Sequence, residues 1–143
     1  LETAKAQADA QVSERNAREK AELMRQLGMD EGESATKASR TMIRQLEEDQ
    51  KRRSKRALTD AIDRALIDLL AIYRDVLMVQ VGGDGELINT DLADLVHEIA
   101  QDSTPRQTLA RVDHIETARK RLVSNGNPLL VLEDMAISLR PQA

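Results

Sequence analysis

The chain has 143 residues with a net charge of −4; 32% are charged and 41% hydrophobic, enough for one compact domain and barely for two. It has no cysteine, which excludes disulfides, zinc–thiolate sites and thiol catalysis, and its one aromatic residue, Tyr73, excludes single-strand binding on a platform of stacked rings. Six glycines and three prolines carry too little turn chemistry for an all-β fold, and no apolar run reaches the ~20 residues that a membrane span needs.

The chain begins at Leu1 rather than Met, and its first residues already read as mid-helix, so a fragment of something longer is expected. Charge is uneven. Residues 1–57 hold 13 basic and 11 acidic side chains, whereas residues 58–143 hold 8 and 14. LETAKAQADAQVSERNAREKAELMRQL (1–27) is rich in strong helix formers. Ala10, Ala17, Ala21 and Met24 give it a narrow stripe of small residues that leans on a neighbour but fills no core. Gly28, Gly32 and the acidic MDEGES stretch break that helix, and Ser34 is expected to cap the next.

The next segment, ATKASRTMIRQLEEDQKRRSKRA (35–57), has a short stripe of Ala38, Met42 and Leu46 and then ten residues without an apolar member. Glu47–Lys51, Glu48–Arg52 and Asp49–Arg53 are spaced i,i+4 with the acid first, the favourable order, each pair contributing roughly 0.2–0.5 kcal/mol. Most of this charge is therefore expected to be neutralised within one solvated helix. LTDAIDRALIDLLAIYRDVLMVQV (58–81) is the most apolar segment; Leu58, Ile62, Ala65, Leu66, Leu69, Tyr73, Val76 and Leu77 form its stripe, and the second half is apolar nearly all round. Nothing breaks the pattern near Ala57, so one helix is expected from about 35 to 81, stopped by Gly82. GGDG (82–85) also suits a hairpin turn, the less favoured reading because the preceding run is helical.

Three shorter helices follow. Asp91 is expected to cap one carrying Leu92, Leu95, Val96 and Ile99 on one face. Thr104-Pro105-Arg106-Gln107 has the residues of a capping box with Pro at the first helical position, ahead of a stripe of Leu109, Val112, Ile115 and Leu122. Asn125-Gly126 ends that helix, and Asn127-Pro128 starts the last, with Leu129, Leu132, Met135, Ala136 and Leu139 facing inward. The expectation is an all-α fold: a bundle of about four helices, preceded by a long polar N-terminal helical arm that must pack on something to be stable.

Chemical motifs are sparse. There is no phosphate-binding glycine loop; Asp84 sits among Gly82, Gly83 and Gly85 where a lysine would be needed. His97 and His114 are too far apart for a metal pair, and Asp60, Asp63, Asp68 and Asp75 are interleaved with Arg64 and Arg74, which reads as a solvated face with ion pairs. No serine stands in a strained G-x-S-x-G elbow. No catalytic, cofactor or metal-binding residue is therefore assigned. Lys51, Arg52, Arg53, Lys55 and Arg56 are the candidates for phosphate contact, and Arg119-Lys120-Arg121 is a second basic cluster, although the chain is acidic overall. Tyr73 beside Arg74 and Asp75, together with Arg119, are the candidates for a protein interface, since Tyr and Arg are enriched at binding hot spots; a core Tyr73 with its hydroxyl at the rim is the plainer alternative.

EEDQKRRSKRALTDAIDRALIDLLAIYRDVLMVQVG (47–82), ELINTD (86–91), STPRQTLARVDHIETARKRL (103–122) and NPLLVLEDMAISL (127–139) together resemble the C-terminal region of clamp-loader delta-prime subunits of bacterial DNA polymerase III, most closely the actinobacterial type. The resemblance covers about residues 40 to 140. It implies a collar domain, in which the third, helical domains of five subunits pack side by side and hold together the ring that loads the sliding clamp on primed DNA. The expected division is an Ala-rich helical arm with its glycine break at 1–33, a polar charged helix at 34–57 and the collar domain at 58–143. The resemblance further implies a non-catalytic part of the DNA polymerase III assembly, in the cytoplasm with the nucleoid-associated replication machinery. Its partners would be the delta and gamma/tau subunits, with DNA contacted only indirectly and no membrane, cofactor or small-molecule ligand. A DNA-contacting helical arm using residues 51–56 and a generic coiled-coil adaptor are the rival readings.

Overall fold

The computed structural model describes residues 2–28 and 36–140, and all of its regular structure is helical. The elements are α1 (Glu2–Gln26), α2 (Lys37–Gln80), a short 3-10 turn (Thr90–Leu92), α3 (Ala93–Gln101), α4 (Pro105–Val123) and α5 (Pro128–Ser138). The fold is all-α, as the periodicity implies. Two compact units divide the chain, Leu1–Leu58 and Thr59–Ala143, and α2 contributes to both.

The length of α2, 44 residues, follows from an unbroken run without Gly or Pro. The expected cap Ser34 lies outside the described residues. Thr36 fills the role: its hydroxyl accepts from the Ser39 amide at 3.1 Å and its carbonyl from the Arg40 amide at 3.0 Å. At the other end Gly82 sits at φ +66°, the left-handed conformation that glycine adopts without a Cβ penalty. Its amide bonds the Val79 carbonyl, and the Gly83 amide bonds the Met78 carbonyl, so two otherwise orphaned carbonyls are satisfied. The GGDG stretch is thus a helix stop, and no strand flanks it among the described residues.

In the first unit α1 and the start of α2 run antiparallel: Lys20 pairs with Glu47, while Asn16, earlier on α1, meets Gln50, later on α2. The face they share mixes polar and apolar side chains. Its buried residues are Ser39 and Gln50, each 8% exposed. Gln50 donates to the Asn16 carbonyl at 3.0 Å and to Glu19 at 3.2 Å, and Arg53 forks onto Glu19. The expected small-residue stripe is not the buried face: Ala10, Ala17, Ala21, Ala38 and Met42 are exposed. Leu23, Met24, Leu27, Ile43 and Leu46 are the half-buried apolar positions. The i,i+4 pairs expected along α2 are also replaced. Glu47 bonds Lys20 and Arg53 bonds Glu19, while Arg52 bonds Asp49 one residue closer and Glu48 bonds Arg44. An adjacent helix brings cations and carboxylates to the shared face, and that competition is invisible to spacing within a single helix.

The second unit has an apolar core. Leu66, Ile115, Ala118, Leu122, Val131 and Met135 are buried together, and Ile62, Leu69, Leu70, Tyr73, Leu132 and Leu139 pack around them. From Leu69 to Gln80 every residue except Arg74 is buried or half-buried, as expected of a helix apolar on most sides. The start of α4 is a complete capping box: the Thr104 side chain accepts from the Gln107 amide, and the Gln107 side chain accepts from the Thr104 amide, with Pro105 in the first turn. Its end uses Asn125 at φ +64° and a 2.8 Å bond from the Gly126 amide to the Arg121 carbonyl. A Cβ on Gly126 would lie 2.7 Å from that carbonyl, so the close approach requires glycine. Asn127 caps α5 by accepting from the Leu129 amide at 3.0 Å.

Several inward assignments shift by a residue. Leu58, Ala65, Leu95, Leu109, Leu129 and Ala136 are exposed, while Thr108, Ala118 and Val131 are buried. Asp91 falls within the 3-10 turn, and Leu92 occupies the cap position of α3 without a side-chain bond. Stripes read from one helix place the apolar arc to within a residue or two; neighbouring helices select which part of it is covered.

Candidate functional site

The two conspicuous polar constellations of the second unit hold its own segments in place. Asp75 on α2 is completely buried. Its carboxylate accepts from the Ile88 amide at 3.0 Å, the Asn89 amide at 2.8 Å, the Asn89 side chain at 3.0 Å and Arg74 at 2.8 Å. Arg74 also reaches the Glu86 carbonyl at 3.2 Å. Residues 74 and 75 therefore pin the segment from 86 to 89 that leads into α3. Burial pushes the Asp75 carboxyl up, but the bonds from Asn89, Ile88 and Arg74 outweigh it and hold the pKa at about 2, below the ordinary carboxylate value. Such a group stays ionised and does not exchange protons near neutrality.

The second constellation centres on Gln80. Its amide donates to the Ala100 carbonyl at 3.3 Å, the Ser103 carbonyl at 2.7 Å and the Ser103 hydroxyl at 3.1 Å, while its oxygen accepts from Thr108 at 2.8 Å. One side chain thus ties the end of α2 to the end of α3 and the start of α4. Sequence reading missed both Gln80 and the fully buried Thr108. The signal available was a lone amide inside the apolar run MVQV, since buried polar groups need partners.

Arg119, singled out as an interface residue, forks onto Asp63 of α2 with Nε at 2.7 Å and a terminal nitrogen at 3.1 Å. The hydrogen bond from Arg119 lowers the Asp63 pKa despite desolvation, and the same bond raises that of Arg119. Tyr73 is half-buried against the core and lines a groove with Leu95, Ile99 and Leu139, where Glu98, Asp102 and Arg111 supply the charge. Arg74 is 46% exposed. Tyr73, Arg74 and Asp75 are consecutive, yet their environments differ: core rim, surface and full burial.

The candidates for phosphate contact lie in the first unit. Arg52 and Arg53 are in ion pairs with Asp49 and Glu19, and Lys51, Lys55 and Arg56 are exposed. His97 and His114 are both exposed; the His97 ring meets the Ala93 carbonyl of its own helix at 2.7 Å. Among the described residues no group of three His, Asp or Glu side chains is placed to hold a metal ion. Among them, too, no helix is long and apolar enough to cross a membrane.

The feature most suggestive of contact with another molecule is the outer side of α5. Leu129, Leu130 and Ile137 are 65%, 61% and 61% exposed, with Ala136 beside them, although α5 already buries Val131 and Met135 on its inner side. Glu133 and Asp134, the two charges in these eleven residues, are exposed on the same outer side, so the uncovered apolar side chains stand beside negative charge. The sequence assignment of Leu129 and Ala136 to the core concealed this second face.

Comparison with known proteins adds to this geometry. Residues 35–140 match the family described as DNA polymerase III, delta subunit, C terminal. DNA polymerase III subunit delta' of Bacillus subtilis is 36% identical over 72 residues, which cover 50% of this chain and 22% of that protein. The aligned part is thus well under two thirds of the relative's own length. No solved structure matches the chain.

Proposed function

We propose, for a chain that belongs to the DNA polymerase III delta C-terminal family, a non-catalytic scaffold role: packing against sibling members of the clamp loader so that the sliding clamp is placed on primed DNA. The observation that carries this reading is the uncovered apolar face of α5, Leu129, Leu130 and Ile137, on a bundle whose buried polar groups are committed to its own segments. An apolar face of this kind is covered when helical domains pack side by side. Tyr73 and Arg74 extend the contact surface along the groove and the adjoining part of α2; Asp75 and Arg119 act indirectly, by holding the elements that present it. The partners in this reading are the delta and gamma/tau subunits. DNA is reached only through the assembled ring, and the setting is the cytoplasmic replication machinery.

Sedimentation of the chain with the helical domains of delta and gamma/tau tests the proposal. A mixed complex is expected, and Leu130→Glu with Ile137→Glu should abolish it while the melting temperature of the isolated chain stays unchanged. Absence of any complex with either partner would defeat the scaffold reading.

A further inference from the structure

We propose that a small hollow between α4 and the end of α5 binds a single tetrahedral oxyanion of the phosphate class. Gln107, Ala110, Arg111 and His114 line it from α4, and Ser138 and Arg140 from the end of α5. The α4 residues are spaced i, i+3, i+4 and i+7, which puts them on one face of the helix. Ala110, with a single methyl, leaves the space between the longer side chains. The cavity volume is about 70 Å³, several times the ~10–15 Å³ that one water needs on the same measure, and the hollow is partly open to solvent, so a small oxyanion fits while any substituent on it stays outside.

The chemistry of the lining selects an anion. Two guanidiniums, an imidazole, an amide and a hydroxyl surround the hollow, and among the described residues no carboxylate lines it. Arg111 is half-buried, and neither it nor Arg140 forms an ion pair among the described residues, whereas Arg119 and Arg121 on the same helix both have carboxylate partners. A half-buried guanidinium with no direct ion pair can meet an external oxyanion with two parallel N–H bonds. Gln107 is already oriented: its side-chain oxygen accepts from the Thr104 amide at 2.9 Å and from the Thr104 hydroxyl at 3.1 Å, which leaves its NH2 as the available donor. Ser138 already donates its hydroxyl proton to the Asp134 carbonyl at 2.9 Å, so the donors left for an anion are the two guanidiniums, the Gln107 NH2 and an imidazole N–H. Glu98 and Asp102 share the Tyr73 groove with Arg111 but do not line this hollow. The ion is either free in solution or a phosphodiester of a nucleic-acid strand, and both present the same oxygens.

Titration of the chain with inorganic phosphate at constant ionic strength, followed by NMR at the His114 ring and the Arg111 guanidinium, tests the site. A saturable shift is expected, which chloride does not reproduce. Arg140→Gln should weaken it roughly tenfold, and Ala110→Leu should abolish it by filling the space. Arg106→Gln, an exposed cation on the same helix, should leave it unchanged. Displacement of bound phosphate by a single-stranded oligonucleotide would support the diester as its source, and failure to displace would support the free ion. Shifts that never saturate, or that survive both Arg140→Gln and Ala110→Leu, would overturn the proposal.

Discussion

The two units of this chain solve the same problem, burying one side of a helix, with opposite materials. Among the described residues of Leu1–Leu58 those most removed from water are Ser39 and Gln50, and the helices are joined by Lys20–Glu47 and Arg53–Glu19. In Thr59–Ala143 they are Ile115, Val76, Val96, Thr108 and Asp75, around a continuous apolar cluster. Apolar burial contributes about 25 cal/mol per Å² and is insensitive to salt, whereas exposed ion pairs contribute little and are screened. The second unit is therefore expected to resist unfolding better, and the pairing of the first to depend on its ionic surroundings.

The sharpest test of that contrast is a pair of truncations. Ile115→Ala empties the centre of the apolar cluster and should cost about 2–5 kcal/mol in chemical denaturation, while Leu46→Ala, half-buried in the first unit, should cost clearly less. Equal losses would break the comparison. The next effect in size concerns Asp75. Asp75→Asn should destabilise the second unit by about 2–3 kcal/mol at neutral pH, because the Ile88 and Asn89 amides lose a charged acceptor. The sign with pH follows from a folded pKa of about 2, below the unfolded value of ~3.9. The contribution is complete above the unfolded value and disappears as pH falls toward 2, so acid unfolding should be less steep in Asp75→Asn.

Gly126→Ala comes next. A methyl 2.7 Å from the Arg121 carbonyl must displace backbone, and a loss of about 1–3 kcal/mol in thermal unfolding is expected, with α5 loosened first. The smallest effect belongs to the first unit. Glu19 and Glu47 have lowered pKa values, chiefly through hydrogen bonds from Arg53 and Lys20, so their pairing is retained above the ordinary carboxylate range and lost below it. Helicity of the first unit, followed by amide exchange, should fall in molar salt and again as pH drops through that range, while protection around Ile115 stays constant. A first unit indifferent to salt would show that its half-buried Leu23, Leu27 and Ile43 matter more than its charges.

Legibility followed the same line. The extent of α2, the capping box at Thr104, the stop at Gly82 and the Asn127-Pro128 start were all readable in the sequence. Each depends on dihedral preferences and hydrogen bonds within a few residues. The apolar cluster was readable in outline from Leu66, Ile115, Leu122 and Met135. The candidate surface was legible only in part. Tyr73 and Arg74 were chosen for their residue types, whereas the outer side of α5 went unnoticed because Leu129 and Ala136 fitted an inward stripe equally well.

By itself the amino-acid sequence determined the helices, several of their ends and the all-α class, since those are decided by bonds three or four residues apart. Only the tertiary structure decided that Thr108 is inside and Leu109 outside, that Gln80 joins three elements, and that Glu47 meets Lys20 rather than Lys51. Burial and ion pairing are settled by whichever surface arrives from elsewhere in the chain, and a helix read alone does not show which of its faces that surface will cover.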